Sequence, residues 1–131
     1  MRAQSLKATD HVLVQEFLAG IEAGELAGVF FDDAFSHGLR RVPATGEFRI
    51  NSQYGGRMEA AELPADVVRQ MVAVLALLPR PSLHARVDGL VRDGRFVVME
   101  VEVNEPGLGL DLAPGSADRF ADALLARLGS A

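Results

Sequence analysis

The stretch that most constrains this chain covers residues 83–106, where two segments alternate apolar with polar or charged residues. Such alternation is typical of β-strands that are buried on one face. The odd positions form an apolar face that is predicted to meet the core: Leu83, Ala85, Val87, Val91, Val97, Met99, Val101 and Val103. The even positions carry the polar groups: His84, Arg86, Asp88, Glu100, Glu102 and Asn104. The sequence therefore predicts a β-hairpin with a polar, largely acidic face.

The connection between the two segments decides which residues face each other. Directly paired residues of an antiparallel ladder point to the same side, so this pattern needs a loop with an odd number of residues. Residues 92–94 supply three, and Gly94 can take the left-handed conformation that closes a type I turn plus bulge. Asp88 then lies one diagonal step from Glu100, about 7–8 Å away. The predicted pairs are Val91 with Arg95, Arg86 with Glu100 and Asp88 with Val98.

The convergence of Asp88, Glu100 and Glu102 has two interpretations. Like charges repel unless a cation lies among them, and Mg²⁺ takes oxygen ligands from one or two carboxylates together with water and substrate phosphates. The alternative is a solvated sheet face whose charge is partly neutralised by Arg86. Spacing alone favours the solvated face and leaves the metal site open.

Composition limits the class of protein. The chain has 131 residues, of which 49% are hydrophobic, so we expect a single domain over residues 1–131 with a real core and with residues 1–11 frayed. A net charge of −5 argues against a nucleic-acid partner. The absence of cysteine excludes disulfides and thiolate sites. The longest apolar run, residues 71–78, is far shorter than the roughly 20 residues that cross a bilayer, and no signal peptide is evident, so we expect a cytoplasmic protein without a membrane partner.

Alternation and turn signals predict further strands. Residues 12–18 predict a strand passing into a connection, and residues 20–28 a polar turn region. Residues 28–42 predict a second hairpin that turns near Asp32 and Asp33. Residues 43–63 form a long polar stretch, and loops of more than about 12–15 residues tend to be functional or mobile.

Two helices are predicted. Pro64 opens a helix over residues 65–78, which is apolar nearly all round and should be substantially buried before Pro79 and Pro81 stop it. After a loop over residues 104–115, Ser116 is the expected N-cap of a helix over residues 117–128 that Gly129 ends. This order of elements predicts an α+β fold in which helices cover an antiparallel sheet.

Four blocks in this order resemble the ATP-grasp ligases, in particular the branch with glutathione synthetase and the D-cycloserine-forming ligase. The blocks are LVQEFL (13–18), residues 35–57, ARVDG (85–89) and VVMEVEVNEP (97–106). The resemblance extends over residues 12–128 and implies the C-terminal half of an ATP-grasp fold. It also implies the family's activity, in which ATP phosphorylates a carboxylate and an amine displaces the phosphate from the acyl phosphate.

The resemblance implies roles for individual residues. Asp88, Glu100 and Glu102 match the positions that hold Mg²⁺ ions on the ATP phosphates. Glutathione synthetase-like members have asparagine in place of Glu102, so the acid here suggests the cycloserine-ligase branch. Arg41 and Arg49 match catalytic arginines that contact phosphate groups and the transition state. The matched cofactor-binding positions are Gln15, Glu16 and Phe17 in a hinge that commonly meets adenine, and Asn51 in an R-x-N loop.

The family also has parts that this sequence lacks. A preceding subdomain supplies a glycine-rich flap and two lysines for ATP, and Lys7, the only lysine, matches neither position. The resemblance therefore implies small-molecule carboxylate and amine substrates, with a homodimer or a separately encoded N-terminal half completing the clamp. An exposed apolar surface should mark the place of that half. The alternatives are a degenerate, non-catalytic ATP-grasp module or a truncated fragment that binds metal or nucleotide weakly.

Overall fold

A computed structural model describes residues 15–50 and 52–129. The described chain forms one five-stranded sheet and two α-helices. The strands are β1 (Glu25–Phe31), β2 (Ala34–Val42), β3 (Arg57–Ala61), β4 (His84–Arg92) and β5 (Arg95–Glu102), and the helices are α1 (Ala65–Leu75) and α2 (Ser116–Leu128). The sheet order is β3-β2-β1-β4-β5, with antiparallel neighbours throughout. The predicted α+β arrangement is confirmed.

The two helices cover opposite faces of the sheet. On one face α1 packs with Phe30 of β1 and with Ala85 and Val87 of β4. On the other face Val29 and its neighbours meet α2 and the loop that precedes it. Gly28 allows α1 to approach closely, because a Cβ atom there would lie 2.5 Å from the sulfur of Met71. No helix in the two described ranges is long and apolar enough to span a membrane.

The β4–β5 hairpin exists as predicted, but its loop is shorter. Arg92 pairs with Arg95, and the two residues between them, Asp93 and Gly94, have φ of 51° and 72°, as a type I′ turn requires. The predicted three-residue loop is therefore wrong. A β-bulge between Asp88 and Gly89 then shifts the register.

The bulge changes which side chains share a face. Asp88 pairs directly with Glu100, and Arg86 with Glu102, so the predicted partners Val98 for Asp88 and Glu100 for Arg86 are wrong. Phe96 and Val98 pack on the α1 side before the bulge, and Val101 does so after it. Two residues predicted for the core are substantially exposed, Val91 at 47% and Val103 at 42%.

The first hairpin, β1–β2, also turns where it was predicted to. Asp32 and Asp33 form its two-residue loop, with φ of 50° and 63°. The strand β1 nevertheless begins at Glu25, inside the predicted turn region, because pairing with β2 and β4 on both sides outweighs local preference. Residues 15–18 have no regular structure where a strand was predicted, and residues 12–14 lie outside the described part. The predicted loop over residues 43–63 contains β3.

Both helices differ from prediction in detail. The helix α1 ends at Leu75 and is amphipathic: Val67, Met71 and Leu75 are buried, whereas Val72 is 43% exposed. In α2 the N-cap is Gly115, and the hydroxyl of Ser116 donates to the carbonyl of Leu110 instead of capping the helix. Gly129 is the C-cap, as predicted.

Candidate functional site

Four carboxylates and two guanidinium groups meet on the face of the sheet that also carries α2. They come from the adjacent strands β2, β1, β4 and β5. Within this part of the sheet, Ala27 of β1 lies opposite Asp88 of β4, and Glu25 of β1 lies opposite Arg41 of β2. We call this set the charged cluster. Its members are Glu25, Arg41, Arg86, Asp88, Glu100 and Glu102.

Asp88 is the centre of the charged cluster and is fully buried. Its carboxylate accepts a hydrogen bond from Arg41 Nη1 at 2.5 Å and from Arg86 Nε and Nη2 at 2.9 Å each. A buried carboxylate needs such pairing, since an unpaired charge in the interior is very costly. Asp88 does not point into the apolar interior with the odd residues of β4. It faces both glutamates, as the sequence predicted.

Arg86 connects the three predicted metal ligands. It is buried, and besides Asp88 it donates to Glu102 Oε2 at 2.7 Å and to the carbonyl of Gly107 at 3.2 Å. Its Nη2 also lies 3.8 Å from Glu100 Oε2. Burial acts to lower the pKa of Arg86, but the hydrogen bonds and charge of Asp88 outweigh it and raise that pKa. Arg86 is therefore a fixed internal cation, which the sequence indicated only as a neutralising charge.

Glu25 is a further acid in the cluster that sequence reasoning missed. Its carboxylate lies 3.5 Å from Arg41 Nη1 and is almost entirely buried. Burial raises the pKa of Glu25; the charges of Asp88 and Glu100 act in the same direction, and that of Arg41 acts against them. The miss follows from assigning Glu25 to a turn. Recognising β1 from its first residue would have put Glu25 on a strand next to β2, but its pairing with Arg41 also depends on the register shift between Val29 and Phe30.

A cavity of about 200 Å³ opens onto the charged cluster. Arg41, Arg49 and Glu100 line it together with Glu25, and the side chain of Glu100 is 55% exposed. Both predicted catalytic arginines and one predicted metal ligand therefore border the same space. We call it the Arg41–Arg49 cavity.

The donor atoms of the cluster suit Mg²⁺, because hard divalent cations prefer carboxylate oxygens. Four carboxylates and two guanidinium groups leave a formal charge that one divalent cation would balance. Glu100 is accessible, whereas Asp88 and Glu102 are held by arginines. Among residues 15–50 and 52–129, no group of three or more histidines or acids is arranged as a preformed metal site. Coordination by Asp88 would thus require Arg41 or Arg86 to shift.

The remaining predicted residues lie on two irregular segments. Arg49 belongs to the β2–β3 loop, where it pairs with Glu47 and stacks on Tyr54. Phe17 packs edge-on against Phe48 of that loop, with ring centroids 6.1 Å apart, and both line a second cavity of about 590 Å³. Gln15 and Glu16 are exposed, and Asn51 lies outside the described residues.

Comparison with known proteins identifies the family. The sequence model of the prokaryotic glutathione synthetase ATP-grasp domain matches residues 2–102. The chain belongs to this family of ATP-grasp ligases, which confirms the predicted resemblance.

Individual relatives agree with this result. The chain is 34% identical to the cycloserine biosynthesis protein DcsG of Streptomyces lavendulae over 96% of its own length and 45% of DcsG. It is also 34% identical to a glutathione synthetase of Parasynechococcus marenigrum (strain WH8102), over 72% of this chain and 30% of that protein.

Solved structures show the same fold. The crystal structure of D-cycloserine synthetase DcsG aligns with a TM-score of 0.71 and 30% identity, over 87% of this chain and 41% of that one. A D-alanine–D-alanine ligase from Bacillus anthracis complexed with ATP aligns with a TM-score of 0.54 and 27% identity, over 82% of this chain and 40% of that one. The chain therefore spans less than half the length of these relatives, in agreement with the prediction of a C-terminal half.

Proposed function

We propose that this chain is the Mg²⁺- and ATP-binding half of an ATP-dependent carboxylate–amine ligase that works through an acyl phosphate. One observation carries the proposal: Arg41, Arg49 and Glu100 line a single cavity above the buried charged cluster. Membership of the ATP-grasp ligases supports it, as does the ATP complex of the D-alanine–D-alanine ligase.

Arg41 is suited to bind and orient a transferring phosphoryl group. Its guanidinium borders the cavity and is anchored from behind by Asp88, so it is held in place before a ligand arrives. Arginine keeps its charge and makes paired hydrogen bonds to phosphate oxygens. Phosphoryl transfer depends mostly on such positioning and on the neutralisation of spreading negative charge. In our proposal Arg49 approaches the same phosphate from the loop side.

A bound Mg²⁺ ion would supply further charge neutralisation on the phosphate oxygens. Glu100 would hold it from the exposed side of the cluster, with Asp88 and Glu102 as further ligands once an arginine gives way. The internal cation Arg86 keeps these carboxylates together in the absence of metal, since like charges this close otherwise repel.

The nucleotide base would lie toward the amino-terminal segment. Phe17 and Phe48 form an aromatic wall of the larger cavity, and aromatic faces stack on bases. Backbone groups of Gln15 and Glu16 would meet the adenine, and Asn51 would be a further nucleotide-binding residue. The substrates would be a small carboxylate and an amine, as the names of the ligase relatives suggest.

A second half would complete the site, supplied by another copy in a homodimer or by a separately encoded N-terminal half. Apolar side chains at the end of the amino-terminal segment and on the β4–β5 hairpin support this. Leu18, Leu90 and Val97 line a cavity of about 120 Å³ with Val91, and of these side chains Val91 is 47% exposed whereas Leu90 is buried. The exposed Val91 beside this apolar lining would favour association with a second half.

A second candidate function is metal or nucleotide binding without turnover. The observation that favours it is the saturation of Asp88 by two arginines, which leaves Glu100 as the most accessible acid of the predicted metal set. Such a chain would bind Mg²⁺-ATP weakly and would not transfer its phosphate.

Calorimetric titration with ATP, with and without Mg²⁺, tests the proposal. We expect ATP binding that strengthens with Mg²⁺ and that is lost in Asp88→Asn. Absence of ATP binding under both conditions would contradict the ligase and nucleotide binding, and would leave only metal binding. Release of ADP in the presence of a carboxylate mixture would favour the ligase, and binding without ADP release would favour the binding module.

A further inference from the structure

The β2–β3 loop holds Arg49 in a closed local arrangement with Glu47. One oxygen of Glu47 accepts hydrogen bonds from the backbone N–H groups of Phe48, at 2.9 Å, and Arg49, at 3.0 Å, and from Arg49 Nε at 2.9 Å. The other oxygen accepts from Arg49 Nη2. The carboxylate therefore binds both the backbone and the Nε–Nη2 edge of the same residue.

Tyr54 fixes the plane of the same guanidinium. Arg49 Cζ lies 3.8 Å from the centroid of the Tyr54 ring, which is stacking distance for a cation over an aromatic face. Arg49 is about half exposed, so burial does not order its side chain. A carboxylate on one edge and an aromatic ring on one face order it instead.

We propose that Glu47 is a positioning residue: it holds Arg49 on Tyr54 at the rim of the Arg41–Arg49 cavity, ready for a polyphosphate. The inference rests on the proposed function, because it takes a phosphate chain as the occupant of that cavity. Arg49 lines this cavity, whereas Glu47 lines the neighbouring one and Phe48 lines both. Glu47 therefore binds Arg49 from the neighbouring cavity, and Phe48 lies between the two cavities.

The guanidinium of Arg49 can bind two groups on different edges, which explains how the Glu47 carboxylate can help it to bind an anion. Glu47 occupies the Nε–Nη2 edge, so the Nη1 side remains for phosphate oxygens. A long side chain that is already ordered loses less conformational entropy when a ligand binds. The hydrogen bonds from Arg49 lower the pKa of Glu47 from its ordinary 4.5 to about 2, so its carboxylate stays charged in mild acid as well as at neutral pH.

The composition provides a direct probe of this arrangement. Tyr54 is the only tyrosine and the chain has no tryptophan, so its intrinsic emission reports on this loop alone. In Glu47→Gln we expect Arg49 to leave the ring and the acrylamide quenching constant of Tyr54 to rise, up to about twofold, as one covered ring face is exposed. Glu59→Gln is the matched control, because Glu59 also pairs with an arginine two residues away, Arg57, at 4.0 Å. That variant should leave the quenching constant unchanged.

Binding of inorganic tripolyphosphate tests the consequence for the cavity. Glu47→Gln should weaken its affinity about two- to fivefold, the range of an exposed ion pair, and Glu59→Gln should not. Tyr54→Leu should weaken the affinity for tripolyphosphate by a similar factor. Tyr54→Phe keeps an aromatic ring and should retain the wild-type affinity.

The outcomes separate this inference from the proposed function. Unchanged quenching in Glu47→Gln would overturn it, and so would increased quenching with unchanged or tighter tripolyphosphate binding. Wild-type protein that binds no tripolyphosphate would contradict the proposed function itself and would leave Glu47 with only a structural role.

Discussion

Arg41 on β2 reaches over the intervening strand β1 to bind Asp88 on β4, with 2.5 Å between Nη1 and Oδ2. The residue of β1 opposite Asp88 is Ala27, whose small side chain leaves the space that Arg41 crosses. The contact links a predicted catalytic arginine to a predicted metal ligand. The two should therefore respond together when either is changed.

Removal of Arg86 should strongly destabilise the fold. It would leave Asp88 and Glu102 without their main cation, and breaking a buried ion pair costs about 3–5 kcal/mol. We expect Arg86→Met to lower the free energy of unfolding by that amount in urea titrations. The control is Arg127→Met, which removes a 2.7 Å bond to Asp32 at the surface and should cost about 1 kcal/mol or less. Equal losses of stability in the two variants would show that the ion pairs of Arg86 contribute no more than a surface ion pair.

Glu25→Gln should stabilise the protein at neutral pH. The pKa of Glu25 is raised above its ordinary 4.5, so the folded state holds this proton more tightly than the unfolded state does. Its contribution to stability is present below pH 4.5 and is lost as pH rises through the raised value. Glutamine imitates the protonated acid. The variant should therefore be more stable than the wild type above the raised pKa of Glu25 and equally stable below pH 4.5. Urea titrations at pH 4 and 7 measure the difference, and a loss of stability at neutral pH would mean that the pairing with Arg41 dominates.

The contribution of His37 to the free energy of unfolding should change with pH in the direction opposite to that of Glu25. Burial lowers its pKa below the ordinary 6.5, and the positive charge of Arg119 acts in the same direction, against the hydrogen bond between Nε2 and the carbonyl of Leu108. The folded state then favours the neutral ring. The stability that this ring contributes is present above pH 6.5 and is lost as pH falls through the lowered value. The free energy of unfolding should therefore fall on acidification in the wild type and less so in His37→Gln. The same acid dependence in both proteins would contradict this assignment.

The β4–β5 hairpin shows what the sequence could and could not predict. Alternation identified both strands and the shared face of Asp88, Glu100 and Glu102. The loop was wrong because strict alternation requires an odd number of loop residues, while the chain uses the two-residue turn that Asp93-Gly94 favours and inserts the extra residue as a bulge. A glycine inside a strand signals such a bulge, and here a Cβ atom on Gly89 would lie 2.2 Å from the carbonyl oxygen of Val97.

The charged cluster could also be predicted only in part. Position along β4 and β5 is local information, so Asp88, Glu100 and Glu102 could be grouped. The contributions of Glu25 and Arg41 depend on the sheet order β2-β1-β4, which alternation within a strand does not contain. Whether carboxylates face water, a metal or an arginine depends on that order as well.

The most direct measurement of the central claim compares the Mg²⁺-dependent affinity for ATP in Glu100→Gln and Glu105→Gln. Glu100 borders the Arg41–Arg49 cavity, whereas Glu105 is an exposed acid beyond the end of the same strand. We predict that Glu100→Gln weakens Mg²⁺-dependent ATP binding about tenfold or more, the cost of losing a charged contact, and that Glu105→Gln leaves it unchanged. Equal affinities in wild type and Glu100→Gln, with Mg²⁺ present, would contradict the account.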